Sequence, residues 1–96
     1  MQVKIHGCRG SIPSCSEETV GYGGNTSCVE VISNEGDVII LDGGTGLRNL
    51  GNDLIMRASG NPVRATFFIS HVHWDHINGI PFFTPFFNPI NFLCLV

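Results

Sequence analysis

The chain is poor in charge. Only 14% of its 96 residues are Asp, Glu, Lys or Arg, and the five basic residues form no cluster. With a net charge of −3 it carries no electrostatic footprint for nucleic acid. A nucleotide substrate stays open, because metal ions can supply positive charge. No Cys-x-x-Cys pair occurs among Cys8, Cys15, Cys28 and Cys94, which removes the zinc-ribbon and thiol-redox readings. No apolar run nears the roughly 20 residues of a membrane span, and Met1 to Ile5 lead into no signal-peptide core. These absences favour free thiols in a reducing cytoplasm over two disulfides. A disordered tail is excluded, since 43% of the residues are hydrophobic. For so short a chain that is an excess, because small domains expose much of their surface. Some apolar strands are therefore expected to lack a partner within the chain and to drive self-association.

Residues 2–6 alternate polar and apolar, which predicts a half-buried strand with Val3 and Ile5 inward. His6 then falls on the polar face, as a surface or edge histidine. Residues 7–25 form a long irregular connection punctuated by Gly and Pro. Its Arg9 is either a phosphate contact or, the reading we prefer, a solvated loop arginine. The β-branched residues 26–33 and the apolar run 37–41 predict two more strands, making a meander with the first at the centre of a sheet. Asn34-Glu35-Gly36 joins them, with Gly36 left-handed, and the run 37–41 reads as buried on both faces. Thr45 is the expected N-cap of an amphipathic helix with Leu47, Leu50, Leu54, Ile55 and Ala58 on one face, stopped by Gly60. Gly51 allows that helix to pack closely on the sheet.

Residues 63–70 predict a fourth strand. Beyond it, Pro81, Pro85 and Pro89 forbid regular helix. Five of the seven phenylalanines lie between Phe82 and Phe92, read as a loop packing its rings on the core rather than as the wall of a cleft. Residues 93–96 are apolar to the last, as in a further strand, so the chain is expected to be part of a larger domain. The fold class is α/β (α+β), a mainly antiparallel or mixed sheet with one covering helix.

The chemistry concentrates in Ser70-His71-Val72-His73-Trp74-Asp75-His76, where three of the four histidines and a carboxylate fall within six residues. His71 and His73, two apart, point to one side in extended backbone and can reach one metal ion. Asp75 and His76 follow where the chain turns, offset toward a neighbouring point. The spacing thus fits two adjacent metals, a pair that can lower the pKa of a bridging water and make hydroxide available at neutral pH. Asp42, directly after the third strand, is either a turn-forming Asp or a site acid. A cysteine nucleophile would need the fold to bring Cys8, Cys15 or Cys28 to a histidine.

The block His71-x-His73-x-Asp75-His76 resembles the signature of the metallo-β-lactamase-fold hydrolases. The resemblance extends upstream through residues 7–13, 22–31 and 40–46, which are similar to members near cyclic-nucleotide phosphodiesterase-like and tRNase Z/PhnP-like enzymes. It implies the N-terminal half of an αββα sandwich with a dinuclear site, usually zinc, with manganese or iron as alternatives. By matching positions, His71 and His73 would bind one metal and Asp75 and His76 the other. Asp75 would also help orient the attacking hydroxide, and Asp42 would orient ligands from behind. The implied activity is hydrolysis of a small-molecule or nucleotide phosphodiester by metal-activated hydroxide. The family completes its site with a further histidine, a bridging aspartate and a last histidine downstream, yet no His, Asp or Glu follows His76. The alternative expectation is therefore a non-catalytic metal-binding or truncated module that needs a partner or a C-terminal half.

Overall fold

β-Branched and aliphatic residues dominate five short segments, and in the computed structural model, which describes residues 1–96, these form one sheet. The strands are β1 (Gln2–Gly7), β2 (Cys28–Ile32), β3 (Val38–Leu41), β4 (Arg64–Phe68) and β5 (Phe92–Leu95), in the order β1-β2-β3-β4-β5. β1–β2 and β2–β3 are antiparallel, while β3–β4 and β4–β5 are parallel. The sheet is thus mixed, and β3 is its central strand, with β1 at one edge of the meander. A helix, α1 (Gly46–Ala58), connects β3 to β4, as a parallel crossover requires. A one-turn helix, α2 (Trp74–Ile77), and two 3₁₀ turns lie between β4 and β5. No helix is long and apolar enough to cross a membrane.

The core lies between the sheet and α1. Leu47, Leu50 and Leu54 of the helix meet Cys28, Ile40, Ala65 and Phe67 of the sheet, and Phe83 closes the end. Phe83 stands edge-on to Phe67 at 5.2 Å, and Phe86 stacks on Phe67 at 5.5 Å. Of the five phenylalanines in this stretch only Phe83 is buried; Phe86 stays partly exposed although it stacks on Phe67, and Phe82, Phe87 and Phe92 are exposed. The close approach at Gly51 is to this stretch rather than to the sheet: a Cβ there would lie 2.8 Å from the Phe83 ring.

The other sheet face has no cover. Val3 and Ile5, expected inward, are 60% and 65% exposed on it. Cross-strand register aligns them with Val31 and Val29, then Ile39 and Leu41, then Thr66 and Phe68. Arg64 stacks its guanidinium over Phe92 at 4.2 Å at the β5 edge. β3 is therefore buried on one face only, where Ile40 is fully enclosed while Leu41 is exposed.

The inward face of β1 and β2 instead carries a buried polar pair beside Cys28. His6, expected at the surface, keeps only 9% of its side chain exposed and bonds Glu30 through Nε2 at 3.0 Å. Glu30 is wholly buried and also accepts from Arg57 of α1. Burial alone would push the Glu30 carboxyl up, but hydrogen bonds from Arg57 and His6 and their charges hold it below the usual range. Two helix-end expectations also change. Thr45 makes no cap bond to α1, because its hydroxyl accepts the Thr26 N–H at 2.9 Å. The left-handed stop begins at Ser59, one residue before Gly60.

Two stability outcomes follow from these contacts. Gly51→Ala gains helix propensity of about 1 kcal/mol, but overpacking against the enclosed Phe83 ring costs about 1–3 kcal/mol. Urea unfolding should show a net loss; a stabilised variant would mean that the ring moves aside freely. Because the folded pKa of Glu30 is depressed, its stabilisation is present above the unfolded value of about 4.3 and is lost as pH falls through the folded value. Glu30→Gln should flatten the acid limb of unfolding midpoint against pH below about pH 5. An unchanged limb would show that the charged Glu30 contributes nothing to it.

Candidate metal centre

β3 and β4 run parallel, so their carboxyl ends emerge side by side, and side chains for chemistry gather at such ends. β3 delivers Asp42 and β4 delivers Ser70 and the histidine block. Asp42 has φ 65°, a left-handed conformation in which Asp is enriched among non-glycine residues. Its backbone N–H still donates to the Phe68 carbonyl at 2.9 Å, which extends the β3–β4 ladder. Its carboxylate then faces the block. Oδ1 accepts the Ser70 N–H at 2.7 Å, Ser70 Oγ lies 2.9 and 2.8 Å from the two carboxylate oxygens, and His76 Nδ1 is 2.9 Å from Oδ2.

The far end of the block is fixed by backbone packing. Gly43 N–H donates to His76 O at 2.7 Å, and Gly79 N–H donates to Gly43 O at 2.8 Å. A Cβ at Gly79 would fall 1.9 Å from the Gly44 carbonyl oxygen, so only glycine fits. Asn78, buried, accepts the Thr26 hydroxyl at 3.2 Å. The loop after β1 closes the third side. Ser11, itself at φ 67°, donates its N–H to Asp75 Oδ2 at 3.1 Å.

The block thereby brings its rings together. The His71 ring centroid is 4.0 Å from that of His76 and 4.6 Å from that of His73. Asp75 Oδ2 lies 3.4 Å from His76 Nε2. His71 and His73 are exposed, and Asp75 and His76 are half-buried. No three His, Cys, Asp or Glu side chains converge closely enough to hold a metal ion together. Arg9 is exposed; its Nε donates to the Ile12 carbonyl at 2.6 Å, and it makes no hydrogen bond or ion pair with the block.

The protonation pattern follows from these contacts. Partial burial pushes Asp42 up, but the Ser70 N–H, the His76 ring and the Ser70 hydroxyl outweigh it and hold the carboxyl below the usual range. The Ser11 N–H does the same for Asp75, with the His76 and His71 rings adding. An ionised Asp42 only accepts, so His76 must carry its proton on Nδ1. That leaves the His76 Nε2 lone pair facing the Asp75 carboxylate at 3.4 Å. Two electron-rich atoms at that separation call for a cation, either a proton or a metal. In donor type and proton placement these residues fit a divalent metal. The cysteines do not compete: Cys28 is buried and its thiol is pushed up to about 12 by burial, with Glu30 and Asp42 adding. Cys8, Cys15 and Cys94 are free and exposed.

Ser11, Ser70 and Asn78 carry no role in the sequence reading. Ser70 adjoins the block and was within reach of it. Ser11 acts through its backbone across 64 positions, which no side-chain pattern announces.

Residues 21–94 match the model of the metallo-beta-lactamase superfamily. No curated protein and no solved structure matches the chain.

Asp42→Asn tests the orienting contact. Asn tolerates the left-handed backbone, but its NH₂ can donate to His76 Nδ1 and drive the ring proton to Nε2. Zinc affinity, measured by competition with a chromophoric chelator, should fall about 10–100-fold with the far-UV circular dichroism unchanged. Equal affinity would show that His76 is oriented by something other than Asp42.

Proposed function

The chain belongs to the metallo-beta-lactamase superfamily, and from that premise we propose a metal-dependent hydrolase site that acts on phosphodiester bonds. The observation that carries the metal reading is the His76–Asp75 pair, held 3.4 Å apart with the His76 proton drawn to the opposite nitrogen by Asp42. The His71 ring lies 4.0 Å from the His76 ring and the His73 ring 4.6 Å from that of His71, as further imidazole donors. A divalent ion held there, zinc in the first instance, would polarise the substrate oxygen and lower the pKa of water. The protein's own work is orientation. Asp42 holds the His76 ring, and Ser11 fixes the Asp75 carboxylate, which would help orient the attacking hydroxide.

Phosphodiester as the substrate class, small-molecule or nucleotide, rests on the upstream segments whose pattern resembles the cyclic-nucleotide phosphodiesterase-like and tRNase Z/PhnP-like branch. The loop at residues 7–13, which carries part of that pattern, reaches Asp75 through the Ser11 N–H. Four free thiols accord with a reducing, cytoplasmic setting.

A second reading has its own observation. No three donors converge, and one sheet face, with Val3, Ile5, Leu41 and Phe68, is open. Both features suit a metal-binding module that is completed by a partner or by self-association through that face.

The chain loaded with zinc or manganese should hydrolyse bis(p-nitrophenyl) phosphate, and His76→Ala should abolish the reaction. Turnover of p-nitrophenyl acetate alone would overturn the phosphodiester class. Tight metal binding without turnover, together with a dimer or larger species in sedimentation velocity, would establish the second reading. Absence of metal binding would overturn both.

A further inference from the structure

Ser70 stands between Asp42 and His71, and its proton can be placed by elimination. The hydroxyl has one hydrogen and two lone pairs, an ionised carboxylate has only lone pairs, and a neutral imidazole has one N–H and one bare nitrogen. Ser70 Oγ lies 2.9 and 2.8 Å from the Asp42 oxygens and 3.0 Å from His71 Nδ1. If the hydroxyl donated to His71, three oxygens without a proton between them would face one another at those distances. The hydrogen therefore goes to Asp42, and the contact with His71 requires an Nδ1–H that donates to Oγ.

We propose that Ser70 is a positioning residue for His71: its hydroxyl, committed as donor to Asp42, accepts the His71 Nδ1–H and leaves Nε2 bare as a metal donor. One carboxylate then sets two rings, His76 by direct contact and His71 through the hydroxyl, and the two rings lie 4.0 Å apart. The Ser70 N–H, which also donates to Asp42 at 2.7 Å, holds the backbone at Ser70 against Asp42 independently of the side chain. Removing the hydroxyl should therefore free the His71 tautomer while Asp42 and His76 stay in place. The link to metal rests on the hydrolase reading above; the placement of the proton does not.

The test is made first on the metal-free chain with ¹⁵N-labelled imidazoles, at a pH where the rings are neutral. Long-range ¹H–¹⁵N spectra report which nitrogen bears the proton. His71 and His76 should both appear as the Nδ1–H form. Ser70→Ala should move His71 toward Nε2–H and leave His76 unchanged, Ser70→Thr should restore His71, and Asp42→Asn should disturb both rings. A wild-type His71 in the Nε2–H form would overturn the proposal without any variant. So would a Ser70→Ala chain whose His71 matches the wild type. Zinc titration of the same samples should show a loss of about 10–100-fold for Ser70→Ala and restoration by Ser70→Thr. Tautomers as stated in a chain that binds no zinc would uphold the hydroxyl link and overturn the metal reading instead.

Discussion

The Asp42 carboxylate is the contact on which the rest of the site depends. It stands at the end of the central strand in a left-handed conformation, and every hydrogen bond it accepts comes from the histidine block. Desolvation works against its charge, and the Ser70 N–H, the Ser70 hydroxyl and the His76 ring outweigh that cost. Without it, β4 would still pair with β3, but Asp75 would draw the His76 proton to Nε2 and the Ser70 hydroxyl would be free to donate to His71. The glycine turn behind Asp42 complements it. Backbone bonds from Gly43 and Gly79 hold the far end of the block, so its backbone is anchored at both ends.

The same division between backbone and side chain explains what was legible in the sequence. The five strands and α1 could be read because apolar periodicity reports which residues share a face. It does not report which face is covered. Val3 and Ile5 form the apolar face of β1, as the alternation says, yet α1 lies on the other side, against His6 and Glu30. A buried carboxylate with an arginine from a helix and a histidine from a strand reverses the usual assignment, because pairing makes charge tolerable inside. Only the partners, 24 and 27 positions away, reveal it.

At the site, the spacing of His71, His73, Asp75 and His76 pointed to metal-type donors, since that much ligand density in six residues has few structural uses; the structure gathers the His71, His73 and His76 rings without bringing three donors to one point. Asp42 was legible as an acid at a strand end, with two roles open. The hydroxyl of Ser70 was adjacent and carried no signal of its own, since a serine before a turn is ordinary. What the spacing could not convey was mutual geometry. His71 sits nearer in space to His76 than to His73, because α2 folds the end of the block back over its beginning.

The open sheet face and the donor-poor site meet at one place. Leu41 immediately precedes Asp42, and Phe68 lies two residues before Ser70; the two are register partners on the uncovered face. A cover on that face would therefore end beside the histidine rings. Packing on Leu41 and Phe68 would restrict the chain on both sides of the Asp42–Ser70 contact and would bring new side chains to the rim of the site. The residues now present place protons and orient rings, but they do not converge in threes. Any element that packed on this face would thus also approach the donor set, because the exposed pair Leu41 and Phe68 lies beside the carboxyl ends of β3 and β4.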